Sequence, residues 1–419
     1  LLSYENIKLW ILYLVIVVVT LLPASINTNI SYIIGNNHYR LNVIIVSVIF
    51  MMILVKKTAK YISHYREISL NKYEILYVFF LFYALIFGLI NSFDSVNRLS
   101  SVISTFLIIS IPFLLYKLIL SIRSKSKSVV NFFILIGNLV SSQVVFFSLF
   151  FYQLAPRMGW DISSYTNAEF VRVSTTVGSA TVTGLFLFFI FVISLLQSRE
   201  SNGYYYKFSM YYTCIAILLT STRSAILLLL MFLVLVNVRN FKENIGKWIK
   251  GLLISIAFIT IVNVVLPETT DRILSRFLTD SSINSNNKRD ELLRISIENF
   301  KHNPILGSGI GLGYKRLDNM SPTNAAMENP HNQHTALLLE MGLLGYIIFS
   351  IFIFQLIQSF RTYYNIEYVR YLVVAVLSLI YFGGLFETFY TSDIRTSIII
   401  WVGIALAKIK IDLRTDKEV

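Results

Sequence analysis

The chain has 419 residues, of which 55% are hydrophobic, 15% aromatic and only 14% charged, against roughly 25% charged in an ordinary soluble domain. Its apolar residues fall in runs of about 15 to 25, the length that crosses a bilayer, so a soluble fold is excluded and an all-α, multi-pass membrane protein is expected. The formal charge of +13, from 36 Lys and Arg against 23 Asp and Glu, fits either nucleic acid or basic cytoplasmic loops, and its placement along the chain separates the two.

The first apolar run could be a signal peptide, but Glu5 and a single Lys8 make a poor leading region and many similar runs follow. It is expected to be a membrane helix. The chain begins with Leu, so a few residues are expected to precede it. Apolar windows bounded by charge or turn residues predict twelve spans, at 7–25, 41–55, 74–91, 101–119, 131–154, 181–198, 208–221, 224–238, 251–267, 335–358, 370–386 and 395–409. The seventh and eighth are short and separated by Ser221-Thr222-Arg223, so half-spans meeting at a break are an open alternative. Cys214 is the single cysteine, which excludes an internal disulfide and a cysteine metal site.

With both termini and every second loop assigned to the cytoplasm, that side holds 22 basic residues, against six in the shorter segments of the other side and eight in one long external loop. Long loops are largely exempt from the positive-inside rule, so both termini are expected in the cytoplasm. The surplus charge is then mostly a topology signal, and nucleic acid is not expected as a partner. The predicted organisation is spans one to nine over 1–267 with an external loop at 156–180, a large external loop at 268–334, and spans ten to twelve with a cytoplasmic tail over 335–419. External segments of this length are usually functional.

Within the large loop, a helix is expected from Asn287 to about His302, with Leu293, Ile297 and Phe300 as its apolar stripe. Asn303-Pro304 ends it, and Gly307, Gly309, Gly311 and Gly313 follow at alternate positions. Such a run could cradle a phosphate, but no strand-to-helix context and no Lys-Ser/Thr pair accompany it, so an irregular turn is the preferred reading.

Asn329-Pro330 reads as cap and first residue of the next span, which would place His331 in the first turn at the external mouth. The helix dipole there disfavours imidazolium, so a neutral His331 could accept a proton; a satisfied interfacial histidine is the alternative. His331 and His334 share a face, but no third metal ligand is evident and no metal is expected. Arg223 interrupts an otherwise apolar stretch, costly unless it faces a cavity or partner. Arg172, Arg289, Arg157 and Arg395 lie on the same side, and guanidinium forks suit a diphosphate. For Arg157 a surface role is preferred. Glu340, Glu387 and Asp393 could be acid/base residues or counter-ions.

The ordered set Arg172…Gly178, Leu219-Thr220-Ser221-Thr222-Arg223-Ser224-Ala225, Arg289…Asn303-Pro304-Ile305-Leu306-Gly307-Ser308-Gly309 and His331-Asn332-x-x-x-x-Leu337-x-x-Glu340-x-Gly342-Leu343-Leu344-Gly345 resembles the O-antigen ligase/polymerase superfamily. Thr222-Arg223 departs from the Ser-Arg of many members. The resemblance implies a GT-C-like bundle of about twelve transmembrane helices capped by a large periplasmic loop, in the bacterial inner membrane. It implies a metal-independent, inverting-type glycosyltransferase without cofactor, acting on an undecaprenyl-diphosphate-linked glycan. His331 would be the base that activates the acceptor hydroxyl, Arg172, Arg223 and Arg289 would hold the leaving diphosphate, and Asn332, Glu340, Arg395 and His334 would support them. The acceptor would be a carrier-linked repeat unit for a polymerase or lipid A-core for a ligase, with a chain-length regulator protein as a further partner. Polymerase is preferred, because that class is the more numerous and the 156–180 loop offers a second external binding element. A secondary transporter for a lipid-linked or anionic solute would instead predict inverted repeats and broken helices at the midplane; no repeat is visible. A purely structural scaffold leaves Arg223 unexplained.

Overall fold

The structure, a computed structural model of the chain, describes residues 4–21, 70–93, 96–149, 175–237, 281–313 and 331–418, with the backbone alone for 281–291. Among these residues it is all-helical, without a strand. In chain order the helices are α1 (Tyr4–Leu21), α2 (Lys72–Ile90), α3 (Val96–Leu120), α4 (Ser126–Leu149), α5 (Ala180–Ser201), α6 (Tyr204–Leu219) and α7 (Arg223–Asn237). They continue with α8 (Ser281–His302), α9 (Gln333–Arg361), α10 (Glu367–Ser378), α11 (Gly384–Phe386), α12 (Phe389–Ser392) and α13 (Ile394–Glu418). A π turn, Leu379–Gly383, joins α10 to α11.

Each predicted span on described residues overlaps a helix; those at 41–55 and 251–267 lie outside them. Among the described residues, six helical stretches are long and apolar enough to cross a membrane: Lys72–Ile90, Arg98–Leu120, Arg123–Ser148, Ala180–Ser201, Gln333–Arg361 and Glu367–Phe386. The chain is therefore a multi-pass membrane protein, in which a helix satisfies its own backbone groups without water.

Helix α5 is the centre of one half of the bundle. Its apolar window is 94% buried, surrounded by α4, α6, α7, α10 and α13. The other half closes on Trp401 of α13, whose ring centroid lies 4.6 Å from Tyr77 on α2, 5.0 Å from Phe113 on α3 and 5.9 Å from Phe352 on α9. In lipid, close packing of this kind holds helices together where water exclusion does not. Pro112 interrupts the backbone ladder of α3, and the Tyr77 hydroxyl donates to the Ile109 carbonyl there at 2.7 Å.

One end of the bundle is laced by ion pairs. Lys117 meets Glu74 at 2.6 Å and Arg123 meets Asp416 at 3.3 Å, while Arg199 pairs with Glu367 and Lys410 with Glu200. Ser124 donates to Glu5 at 2.7 Å. The start of α1 and the end of α13 thus share this end with the basic residues.

The break between α6 and α7 lies at the opposite end. Ser221 adopts a left-handed φ of 53°, and the Thr222 hydroxyl donates to the Ala180 carbonyl at the start of α5, 3.1 Å away. Helix α7 then runs back along α5, through Ala225 beside Gly184 and Phe232 beside Phe188, to Phe232 against Tyr371. The two short helices are an antiparallel hairpin beside α5, not half-spans meeting at mid-depth. Arg223 accordingly sits at the bundle end, half-buried.

Helix α8 begins six residues before the expected Asn287, and its buried face is Leu292, Ser296 and Asn299, while Ile297 is 47% exposed. The apolar stripe expected from Leu293, Ile297 and Phe300 is one position out of phase, about 100° around the helix. After α8 the glycine run folds back into the bundle between α2, α3 and α9. Ile310 and Leu312 are buried, and a Cβ on Gly311 would lie 2.6 Å from the Ser101 carbonyl oxygen.

Candidate active site

The glycine run explains an unusual feature of α9. At Gly342 the helix is interrupted, with φ 64° and ψ −174°, and its freed groups pair with the run. Ser308 and Gly309 amides donate to the Leu339 and Glu340 carbonyls at 3.0 and 2.8 Å, and Leu343 and Leu344 amides donate to the Pro304 and Ile305 carbonyls at 2.8 and 3.1 Å. Four hydrogen bonds thus replace those that the interruption removes from α9. The glycines allow the approach: a Cβ on Gly307 would stand 2.4 Å from the Gly342 nitrogen. The run is an irregular turn, as preferred from sequence, and its Gly307, Ser308, Gly309 and Leu312 amides donate to backbone carbonyls.

The start of α9 differs from the sequence expectation. Asn332, with an extended backbone, is the cap; its side chain accepts from the His334 and Thr335 amides at 3.0 and 3.1 Å. His331 has φ 48°, a left-handed conformation that cannot continue into a helix. His331 therefore stands just before α9 and not in its first turn, and Asn329-Pro330 lies outside the described residues.

His331 Nδ1 lies 3.1 Å from Glu387 Oε1, with the side chains 31% and 14% exposed. A carboxylate only accepts, so His331 Nδ1 carries the proton in this contact. Glu387 follows α11 in extended backbone. Sequence reading left its role open between acid/base group and counter-ion, because only the fold brings it 56 positions along the chain to His331.

His334 is engaged differently. Its Nδ1 lies 3.1 Å from the Tyr346 hydroxyl and its Nε2 3.3 Å from the Tyr381 carbonyl in the π turn. Its ring stacks on that of Tyr381 at 5.9 Å. Both nitrogens are committed to α9 and the π turn, so His334 supports the local fold. Among the described residues, no three of His, Cys, Asp and Glu are grouped to hold a metal ion. Glu340 is buried behind the glycine run, with Gly313 so close that a Cβ would meet its Cγ at 2.9 Å.

Arg395 opens α13 and is 4% exposed. Its Nε is 3.7 Å from Asp393 Oδ1, and Asp393 also accepts from the Arg395 amide at 2.8 Å. The guanidinium lies against Gly178, φ 128°, where a Cβ would stand 2.4 Å from Nη1. Gly178 closes a tight turn with Thr175, each amide donating to the other's carbonyl at 3.0 and 3.1 Å. That turn leads directly into Ser179, the cap of α5, and α5 begins beside Thr222.

A chain of contacts therefore ties the His331–Glu387 pair, the start of α13 with Arg395, the Thr175–Gly178 turn and the α6–α7 break with Arg223 to one end of the bundle, away from the ion-paired basic end. Arg172 lies outside the described residues, and Arg289 falls on α8 where only the backbone is described. Residues 208–350 match the family model described as O-antigen ligase. This interval runs from α6 through the glycine run and His331 into α9. No curated protein matches the chain.

Proposed function

Taking as premise the O-antigen ligase/polymerase superfamily, which the match over 208–350 supports, we propose that the protein transfers a glycan from an undecaprenyl-diphosphate carrier to an acceptor hydroxyl at the periplasmic face of the inner membrane. The observation that carries this reading is the His331–Glu387 contact at a bundle end that also holds Arg223 and Arg395. In the proposed reaction Nε2 of His331 takes the proton of the acceptor hydroxyl as its oxygen attacks the anomeric carbon, with inversion. The bond to the diphosphate breaks, and the electron pair leaves with the carrier. Arginines neutralise that charge where it develops; Arg172, Arg223 and Arg289 are assigned this part, with Arg395 fixing the turn that follows Arg172. Glu387 holds the Nδ1 proton and stabilises the imidazolium that forms. This side-chain chemistry needs neither metal nor cofactor.

We further infer twelve transmembrane helices, with the 268–334 segment as the external loop. Placing the ion-paired basic end in the cytoplasm puts both described chain ends there and the His331 end outside. A transporter for an anionic solute would use the broken helix for ion coordination, but at Gly342 the Leu339 and Glu340 carbonyls are taken up by Ser308 and Gly309. This supports transfer over transport.

Polymerisation is preferred over ligation to lipid A-core; the matched family's description favours the second reading, and the chemistry is shared. A gene deletion followed by gel analysis of lipopolysaccharide separates them. One repeat on the core identifies a lost polymerase, and bare core with carrier-linked polymer a lost ligase. His331→Ala is expected to reproduce the deletion at normal expression; a wild-type ladder from that variant would remove the mechanism.

A further inference from the structure

We propose that Gln333 is a positioning residue for the His331–Glu387 pair, clamping the segment that carries Glu387 onto the start of α9. The proposal rests on the transferase reading for its consequence, but not for its geometry. Gln333 is the first residue of α9 and is 2% exposed. A buried carboxamide needs partners for its oxygen and its amide protons. Its Oε1 accepts from the Tyr390 amide at 2.6 Å and the Thr391 amide at 3.4 Å, and its Nε2 donates to the Thr391 hydroxyl at 3.3 Å. The amides at the start of α12, which no bond of that short helix reaches, are thus satisfied by a side chain from α9.

The other flank of Glu387 is held at the same place. A Cβ on Gly384, three residues before Glu387, would stand 3.2 Å from the Gln333 Cβ, so α11 rests against the stem of the same side chain. Glu387 lies between these two anchor points, and His331 is two residues from Gln333. The far side of α12 is secured independently by the Tyr390 hydroxyl, which donates to the Tyr77 hydroxyl at 2.7 Å. Loss of the Gln333 carboxamide should therefore leave α12 attached to the core and free the Glu387 stretch to drift from His331.

The test measures His331 without reference to transfer. Full-length protein in proteoliposomes is treated with diethylpyrocarbonate across a pH series, and modification of His331 is followed by mass spectrometry. Glu387 is the carboxylate in contact with His331; His334 on α9, with Asp393 and Arg395 at the start of α13, are unchanged in every variant. Glu387→Gln should lower the midpoint of modification, through loss of a neighbouring carboxylate. Gln333→Leu should lower it by the same amount, and the double variant no further. Gln333→Glu, which keeps acceptor oxygens for the two amides, should not lower it. Transfer by Gln333→Leu should fall about tenfold or more in kcat with KM within about twofold. Should Gln333→Leu fail to purify, Gln333→Asn, one carbon too short for the amides, serves in the same comparison. A wild-type midpoint in Gln333→Leu or Gln333→Asn overturns the proposal, as does a further drop in the double variant. If the midpoints shift as expected while His331→Ala keeps full transfer, the positioning stands and the assignment of His331 as base falls.

Discussion

Replacing Gly342 with alanine tests the re-entrant design of α9. The residue occupies φ 64°, ψ −174°, a region essentially confined to glycine, and forcing another residue there costs about 1–3 kcal/mol. The added Cβ would also stand 2.3 Å from the Ile305 carbonyl oxygen and 2.5 Å from the Gly307 nitrogen, so the glycine run must retreat. Two of the four exchanged hydrogen bonds involve Pro304 and Ile305; losing both adds about 1–3 kcal/mol at roughly 0.5–1.5 each. The sum is about 4 kcal/mol, and the carbonyls left open have no water to turn to if they face the apolar layer. Thermal unfolding of detergent-purified protein, followed by loss of the monodisperse peak, should move down by at least about 5 °C. Gly203→Ala is the control: that residue is an N-cap with φ −72° at the basic end, and its replacement should cost no more than about 1 kcal/mol. A Gly342→Ala protein as stable as wild type would refute the exchange of backbone bonds as the reason for the break.

Three further outcomes are expected. Glu387→Gln should lower kcat for glycan transfer by about 10- to 100-fold, since a hydrogen bond to a charged group is worth about 1.5–3 kcal/mol; unchanged kcat in a reconstituted assay would show that the His331 contact is idle. Arg395→Ala should destabilise the protein by about 3 kcal/mol, because it removes one member of the buried Arg395–Asp393 pair, and Gly178→Ala should resemble it by wedging a methyl group against the same guanidinium. Chelator should leave transfer unaffected, and inhibition that added zinc or magnesium reverses would return His331 to consideration as a metal ligand.

Helices were legible in the sequence wherever a long apolar run ended in polar or basic residues, and α2, α3 and α5 begin and end within a few positions of their expected bounds. Legibility failed at the start of α9. Asn329-Pro330 reads as the cap, whereas Asn332, with two amides on its side chain, holds that place. It failed again on α8, whose apolar stripe was taken for its packed face although Ser296 and Asn299 are the residues turned inward. The half-span alternative for α6 and α7 stayed open in the sequence, since hydropathy cannot tell a break at the end of a bundle from one in the middle. The partner of His331 is a tertiary fact, and nothing about Glu387 in its own stretch distinguishes it from Asp393 nearby.

The backbone exchange at Gly342 also sets an order of events during synthesis. Ser308 leaves the ribosome 31 residues ahead of Leu339, whose carbonyl both its amide and its hydroxyl use. At about 5–20 residues per second the interval is roughly 2–6 s, long compared with most local folding steps. Through that interval the amides of the glycine run need water, so the run has to wait outside the apolar layer and enter the bundle only once α9 is threaded. The glycine run therefore takes its place in the bundle only after α9 is made. Slowing translation between the two partners lengthens exposure of the run to proteases, and nicking near Ser308 would report on assembly of the bundle in the cell.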